Sequence, residues 1–394
     1  MKKTPVLLTV SYAFVQFFFW FSFGTLITYA SPYLLACGLS NTAIGFICAA
    51  ACALSLLVQP VLAAYADRDS SASIKVLLLI LAGILCALGF GLMAARGSGP
   101  WLNGLLMCGG ILLIHVSLPF INSLATETIN QGKPLSFSIA RGFGSIGYAV
   151  MSYVLGRLFA VRGAETEPLA VIVISALFFL SIALFPFHKT SKKDAAEANP
   201  ASKGDTAAFI RQYPTFFITL LGCVFVFTGH ELINNFLYQI VVAKGGTSEH
   251  MGIASGLAGL LEIFPMFSFA LLLQWKDSRF WFRISGIFFT LKTLGTLLVG
   301  SMGALYAVQL LQPLGWGIIS VASVYYVNAI TREQDHIKGQ AYMTMSISAA
   351  TIIASLAGGW LIDAAGVNGM LITAVICSAL GAAIILRKQK KAQD

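Results

Sequence analysis

The sequence predicts an all-α membrane protein of twelve transmembrane helices arranged in two six-helix halves. Three observations predict it. Of 394 residues, 57% are hydrophobic and only 10% are charged, against about 25% charged in soluble domains. Twelve apolar runs approach or exceed the roughly 20 residues that a hydrocarbon core of about 30 Å demands of a helix. One long polar stretch, 188–211, divides them six and six. The expected organisation is a helical bundle over 1–187, a cytoplasmic linker over 188–211, and a second bundle with a short basic tail over 212–394.

The runs, numbered as spans 1 to 12, cover 6–34, 42–66, 75–95, 101–128, 137–161, 168–187, 212–243, 249–274, 281–301, 304–331, 338–365 and 369–387. They leave no room for a soluble catalytic domain, and no HExxH, GxSxG or phosphate-loop motif sits in a suitable context, so the chain is not expected to be an enzyme. The net charge of +9 does not point to nucleic acid, because of where the charge lies. Of 25 lysines and arginines, nineteen fall at the ends and in the loops on the side of the N-terminus, and three, Arg96, Arg162 and Lys244, on the other. This bias places both termini in the cytoplasm. The first run is too long for the h-region of a cleavable signal. The seven cysteines lie in or beside apolar runs without zinc spacing and read as packing residues. No metal or cofactor is expected.

In chain order, span 1 carries Gln16, an aromatic run ending at Trp20, and Gly24; Ser40 or Asn41 then caps span 2. Span 2 holds Gln59-Pro60 and ends in Ala66-Asp67-Arg68. Span 4 embeds His115 and Asn122, two turns apart on one face, with Glu127 near its end, where water or Lys133 accounts for it. Span 5 opens with Arg141, followed by Gly142, Gly144, Ser145 and Gly147. Small residues let helices approach closely, and an arginine at membrane depth faces a cavity or a partner. The bland alternative is an arginine snorkelling to lipid phosphates at the cytoplasmic mouth.

Span 7 is the most polar. His230 and Asn234 share one helical face, and Glu231, Asn235 and Tyr238 another. A lipid-facing helix would not keep these groups. Span 8 centres on Glu262 and Pro265, and span 9 on Lys292. Proline breaks the helical hydrogen-bond ladder. A lone charge at mid-membrane is unfavourable, so Glu262 and Lys292 are natural partners and Glu262 a proton-carrier candidate, unless the pair is purely structural. Span 10 adds Gln309, Gln312, Pro313 and Trp316, and span 11 is rich in small residues from Ser346 to Gly359.

Three local motifs carry a family resemblance. Ser55-Leu56-Leu57-Val58-Gln59-Pro60 with Ala66-Asp67-Arg68 resembles a signature of the second helix in major facilitator superfamily transporters. Arg141-Gly142-Phe143-Gly144-Ser145-Ile146-Gly147-Tyr148 resembles their fifth-helix motif, and Lys292 falls where lactose permease carries an arginine. The chain is most similar to the oligosaccharide:proton symporter group and the related phenylpropionate and nucleoside permeases. The resemblance implies that Arg141 binds substrate and Tyr148 stacks on it. It also implies that Lys292 lies in a proton path, Gln312 falls near a functional histidine, and Asp67 and Arg68 serve gating. The carboxylate that would partner Arg141 falls near Ser123, leaving Asn122 and Glu127 as substitutes.

The expected function is therefore secondary active transport of a small polar solute, most simply sugar-like, by alternating access and coupled to protons. His115, Asn122, Arg141, Tyr148, His230, Asn234, Tyr238 and Gln312 are expected to bind substrate, and Glu231, Glu262 and Lys292 to couple protons. A uniporter, an exporter or permease of an organic acid or nucleoside, and a non-transporting sensor of the same fold remain the alternatives. The expected partners are a small solute, protons and the lipid bilayer, with no nucleic acid, and the protein is expected to be a monomer.

Overall fold

A computed structural model describes residues 5–68, 73–187 and 206–387; the side chains of residues 5, 66–68, 206 and 207 lie outside the description. Every regular element among the described residues is helical. Ten stretches are long and apolar enough to cross a membrane. The difference from the twelve expected arises at two places. Ser278–Leu298 spans 21 residues but carries Arg279, Arg283 and Lys292 and is not among the ten. His336–Leu386 runs on for 51 residues but turns at Gly366, where φ is +72°, between expected spans 11 and 12. A left-handed backbone of this kind is open to glycine at little cost and ends a helix.

The chain forms two compact units, Met1–Ala196 with Gly246–Leu260, and Glu197–Gly245 with Leu261–Asp394. In the first, Pro5–Phe23 packs along Phe137–Arg162, Asn41–Arg68 along Pro100–Asn130, and Ile74–Ala94 along Glu167–Leu184. The second repeats the pattern. Pro214–Asn235 meets span 11 where Phe236 and Leu232 approach Gly358, Ile263–Trp275 meets span 10 where Pro265 approaches Gly317, and Ser278–Leu298 meets span 12 at Gly286 and Ala382. This is the internal repeat that a six-plus-six sequence foreshadows.

The seams follow from residue size. At Gly147 an added Cβ would lie 2.5 Å from the backbone oxygen of Phe17, so only glycine lets these two helices come so close. Aromatic side chains fill the rest. Phe19 lies 5.8 Å from Phe178 in the first unit, and Phe282 stacks on Tyr326 at 4.2 Å in the second. Helix ends are closed locally. Ser40 Oγ accepts from Ala43 N at 3.2 Å and Ser73 Oγ from Lys75 N at 3.2 Å. Lys75 Nζ donates to the carbonyls of Ala183 and Phe185 at 2.8 and 2.7 Å, a cation on the orphan carbonyls of a helix C-terminus.

Several spans are not continuous. Span 1 passes through a π-helical turn at Gly24–Thr28. Span 7 stops at Asn235 and restarts at Leu237. Span 8 stops at Leu261 and restarts at Ile263, leaving Glu262 in the gap. Pro265 explains the last break: it has no N–H for the carbonyl of Leu261, four residues back, and its ring crowds that carbonyl. Span 10 stops at Gln309 and resumes through a π-helical turn, Pro313–Gly317. Irregular backbone at membrane depth is tolerated only where protein or a polar cavity surrounds it.

Candidate functional site

The polar groups of the second unit gather at these breaks. Lys292 is 3% exposed and Gln312 4%. Gln312 Nε2 donates to Glu262 Oε1 at 2.6 Å, and Lys292 Nζ donates to Gln312 Oε1. The chemistry orients the amide. An ammonium can only donate and an ionised carboxylate can only accept, so the oxygen of Gln312 turns to Lys292 and its nitrogen to Glu262. The expected Glu262–Lys292 partnership is thus carried by a third residue. Gln312, expected on the substrate side, is the link between two coupling candidates. The ammonium of Lys292 also interacts electrostatically with half-buried Glu231 and with buried His230.

His230 lies at the edge of this group. Its ring stacks on Trp316 at 5.2 Å and 15°, meets the edge of Phe289 at 5.0 Å, and receives a hydrogen bond from Asn234 Nδ2 to Nε2 at 2.8 Å. Asn234 itself is exposed. Asn235 Nδ2 donates to Ser355 Oγ at 3.1 Å. Tyr238 is half-buried beyond the break. The non-helical ψ of +27° at Phe236 interrupts the register that would have put Tyr238 on one face with Glu231 and Asn235.

In the first unit, the Arg141 guanidinium sits 4.1 Å from the centre of the Trp20 ring, and its Nη1 donates to Ser145 Oγ at 3.4 Å. A cation over an indole face is worth about 0.5–2 kcal/mol, more when water is excluded. The indole is held in turn. Trp20 Nε1 donates to Gln16 Oε1 at 3.1 Å, Gln16 Nε2 to the Tyr12 hydroxyl at 2.8 Å, and that hydroxyl to the carbonyl of Ile121 at 2.9 Å. The chain ties three helices together and ends one residue from Asn122, which is half-buried. Arg141 is exposed along part of its length but anchored to an aromatic, so this geometry differs from that of an arginine reaching for lipid phosphates. Tyr148 shares a hydrogen bond with Thr28 Oγ1 at 3.0 Å, at the π-helical turn.

His115 is half-buried, with Nδ1 2.8 Å from its own helix at Ile111 O and its ring 5.9 Å from Phe23. Gln59 Nε2 donates to the His115 carbonyl at 3.1 Å. Lys133 donates to Gln131 Oε1 at 2.8 Å. Asp67 and Arg68 end the helix Asn41–Arg68, and their side chains lie outside the described residues. A cavity of about 620 Å³ in the second unit is lined by Ala243, Lys244, Leu297, Val299, Gly300 and residues 365–368, and contains none of the candidates. Its lysine donates to the carbonyl of Val299 at 2.6 Å, as a loop cation closing a helix end. Among the described residues, no three His, Cys, Asp or Glu side chains are grouped to hold a metal ion.

Sequence reasoning missed Trp20, Gln16 and Trp316 as members of these clusters. The signal was present for the first two: Tyr12, Gln16 and Trp20 recur every four residues and so share a face with polar tips. Trp316 follows a proline break, where no helical register applies.

A family model described as the MFS_1 like family matches residues 9–371. A search of the curated proteins finds no match. Among solved structures, the nucleoside transporter NupG superposes with a TM-score of 0.77 at 16% identity, over 97% of this chain and 98% of that one. A D-xylose-proton symporter gives 0.71 at 14% identity, over 99% of each chain. A bacterial homolog of the human lysosomal transporter Spinster, in an inward-facing and occupied conformation, gives 0.71 at 14%, over 98% and 96%. At these identities the likeness is one of fold.

Proposed function

The chain belongs to the MFS_1 like family of the major facilitator superfamily, and we propose that it carries a small polar, sugar-like solute across the cytoplasmic membrane by proton-coupled symport. The observation that carries the reading is the Glu262–Gln312–Lys292 chain at the breaks of spans 8 and 10. Ionisable groups within a membrane bundle mark solute and proton paths, and broken helices at membrane depth mark the sites they serve. Arg141, held by Trp20 and Ser145, supplies a planar donor fork for a hydroxyl-rich or carboxylate-bearing solute. Tyr148, Asn122 and His115 supplement it in the first unit, and His230, Asn234 and Tyr238 are the solute-binding candidates of the second. Glu231, electrostatically linked to Lys292, is the reserve carboxylate, and Asp67 with Arg68 would serve gating at the inner mouth. The protein works as a monomer with both termini in the cytoplasm.

In this reading Glu262 is the proton carrier. Protonation removes its charge and so the counter-charge that Lys292 reaches through Gln312. A neutral carboxyl can donate as well as accept, so the amide is no longer held to one orientation. A proton bound more tightly in one conformation than the other shifts the population between them. Glu262→Gln mimics the protonated form. In proteoliposomes it is expected to exchange solute at near wild-type rates and to lose accumulation driven by a pH gradient. Continued accumulation would move the carrier to Glu231 or His230. A second reading, an organic acid as solute, is favoured by the cations Arg141 in the first unit and Lys292 in the second. A panel of sugars, nucleosides and carboxylates in the same assay separates the two.

A further inference from the structure

Glu167 belongs to none of these groups. It opens the helix Glu167–Leu184 in the first unit, where the turn Ala164–Thr166 meets the helix Ala30–Ala36. It is 0% exposed, and neither carboxyl oxygen has a hydrogen-bond partner. A charge taken out of water without a partner is so unfavourable that the group neutralises instead.

The groups facing it offer no compensation. The phenols of Tyr29 and Tyr33 lie close enough for electrostatic interaction with Glu167, but both hydroxyls are engaged. Tyr29 donates to the Ser152 carbonyl at 2.5 Å and Tyr33 to Asn103 Oδ1 at 2.8 Å. The cations at this end are also directed elsewhere. Arg96 donates to the Glu165 carbonyl, Arg157 pairs with Glu249 at 3.2 Å, and Arg162 is exposed. Cys86, on the helix packed alongside, donates to Ile172 O at 3.8 Å. A helix N-terminus attracts negative charge, but Pro168 removes one N–H from this one, and no backbone N–H bonds to the carboxyl. The hydroxyl of Ser152 is buried and unpartnered as well.

We propose that Glu167 is a proton-binding site of the first unit, separate from the Glu262 chain: its carboxyl holds a proton while buried and releases it to water when this end of the helices opens. The ligand is the proton alone. The inference stands whether or not the chain is a symporter, because it rests on burial and missing partners.

Infrared spectroscopy of the full-length protein in lipid, without substrate or gradient, tests it directly. The wild-type spectrum at neutral pH should contain the carbonyl stretch of a protonated carboxylic acid that Glu167→Gln and Glu167→Met both lack. Both variants should also melt no lower than wild type, since a neutral acid without partners is replaced at no loss. Difference spectra showing only the ionised carboxylate stretches overturn the proposal, as does a marked fall in melting temperature in both variants. The Glu262→Gln accumulation assay fails or succeeds independently of this spectrum, so the two claims are separable.

Discussion

At the scale of single residues, each unit has one cation held in a polar cluster of its own. Arg141 is a fork on an indole, and Lys292 a point charge on an amide. Arg141→Lys keeps the charge but loses the plane that stacks and the paired N–H groups. Substrate affinity is expected to fall about tenfold or more, roughly 1.4 kcal/mol, when measured by equilibrium binding; unchanged affinity would remove Arg141 from the solute site. Gln312→Leu tests the bridge. It takes the amide away from buried Lys292 and half-buried Glu262 at once, and a hydrogen bond lost at a buried polar group costs about 1–3 kcal/mol. A lower melting temperature in detergent is expected, restored in part by adding Lys292→Met and Glu262→Gln together. A melting temperature that does not change in Gln312→Leu would show that the amide bridges nothing of consequence. Glu262, Lys292 and Gln312 stand out separately in the sequence; their order in one chain depends on how three helices pack, which the register within any one helix does not record.

At the scale of elements, close helix seams and broken helices do different work. The seam at Gly147 has no slack, because the backbone oxygen of Phe17 lies 2.5 Å from where a Cβ would stand, and backbone cannot rotate away as a side chain can. Gly147→Val is therefore expected to cost about 1–3 kcal/mol of stability through overpacking and to melt below wild type, with transport lost as the Trp20–Arg141 contact is pushed apart. A Val variant of wild-type stability would mean that the seam is loose. The breaks at Phe236, Glu262 and residues 310–317 carry a different meaning. Each interrupts the regular helical ladder, and polar side chains collect beside it. Pro265 and Pro313 announce two of these breaks in the sequence. Phe236 announces nothing, which is why helical periodicity puts Tyr238 on a face that the structure interrupts.

At the scale of the molecule, the two units repeat the same helix pairings, and the cations at loop ends close helix C-termini, as Lys75, Lys244 and Arg279 do. The charge bias across the loops implies an orientation that can be read chemically. In a cysteine-free background, a cysteine in place of Gly97 should react with a membrane-impermeant thiol reagent on intact cells. One in place of Gln131 should react only after permeabilisation. The reverse pattern would invert the topology and place the Glu167 end in the cytoplasm.

The class of the protein and most of its elements are legible in the residue order alone. Hydrophobic run length is a local property set by bilayer thickness, and the motif around Arg141 and the polar residues of spans 7 to 10 stand out against apolar neighbours. Residue order did not determine which polar residues meet. Trp20 lies under Arg141, and Gln312 between Glu262 and Lys292, because helices distant in sequence are brought together by seams of small residues and by irregular turns. The isolation of Glu167 was equally invisible. In the sequence it is one of two acids beside a loop, Glu165 and Glu167, and only packing decides that the first faces water and the second is buried with nothing to bond.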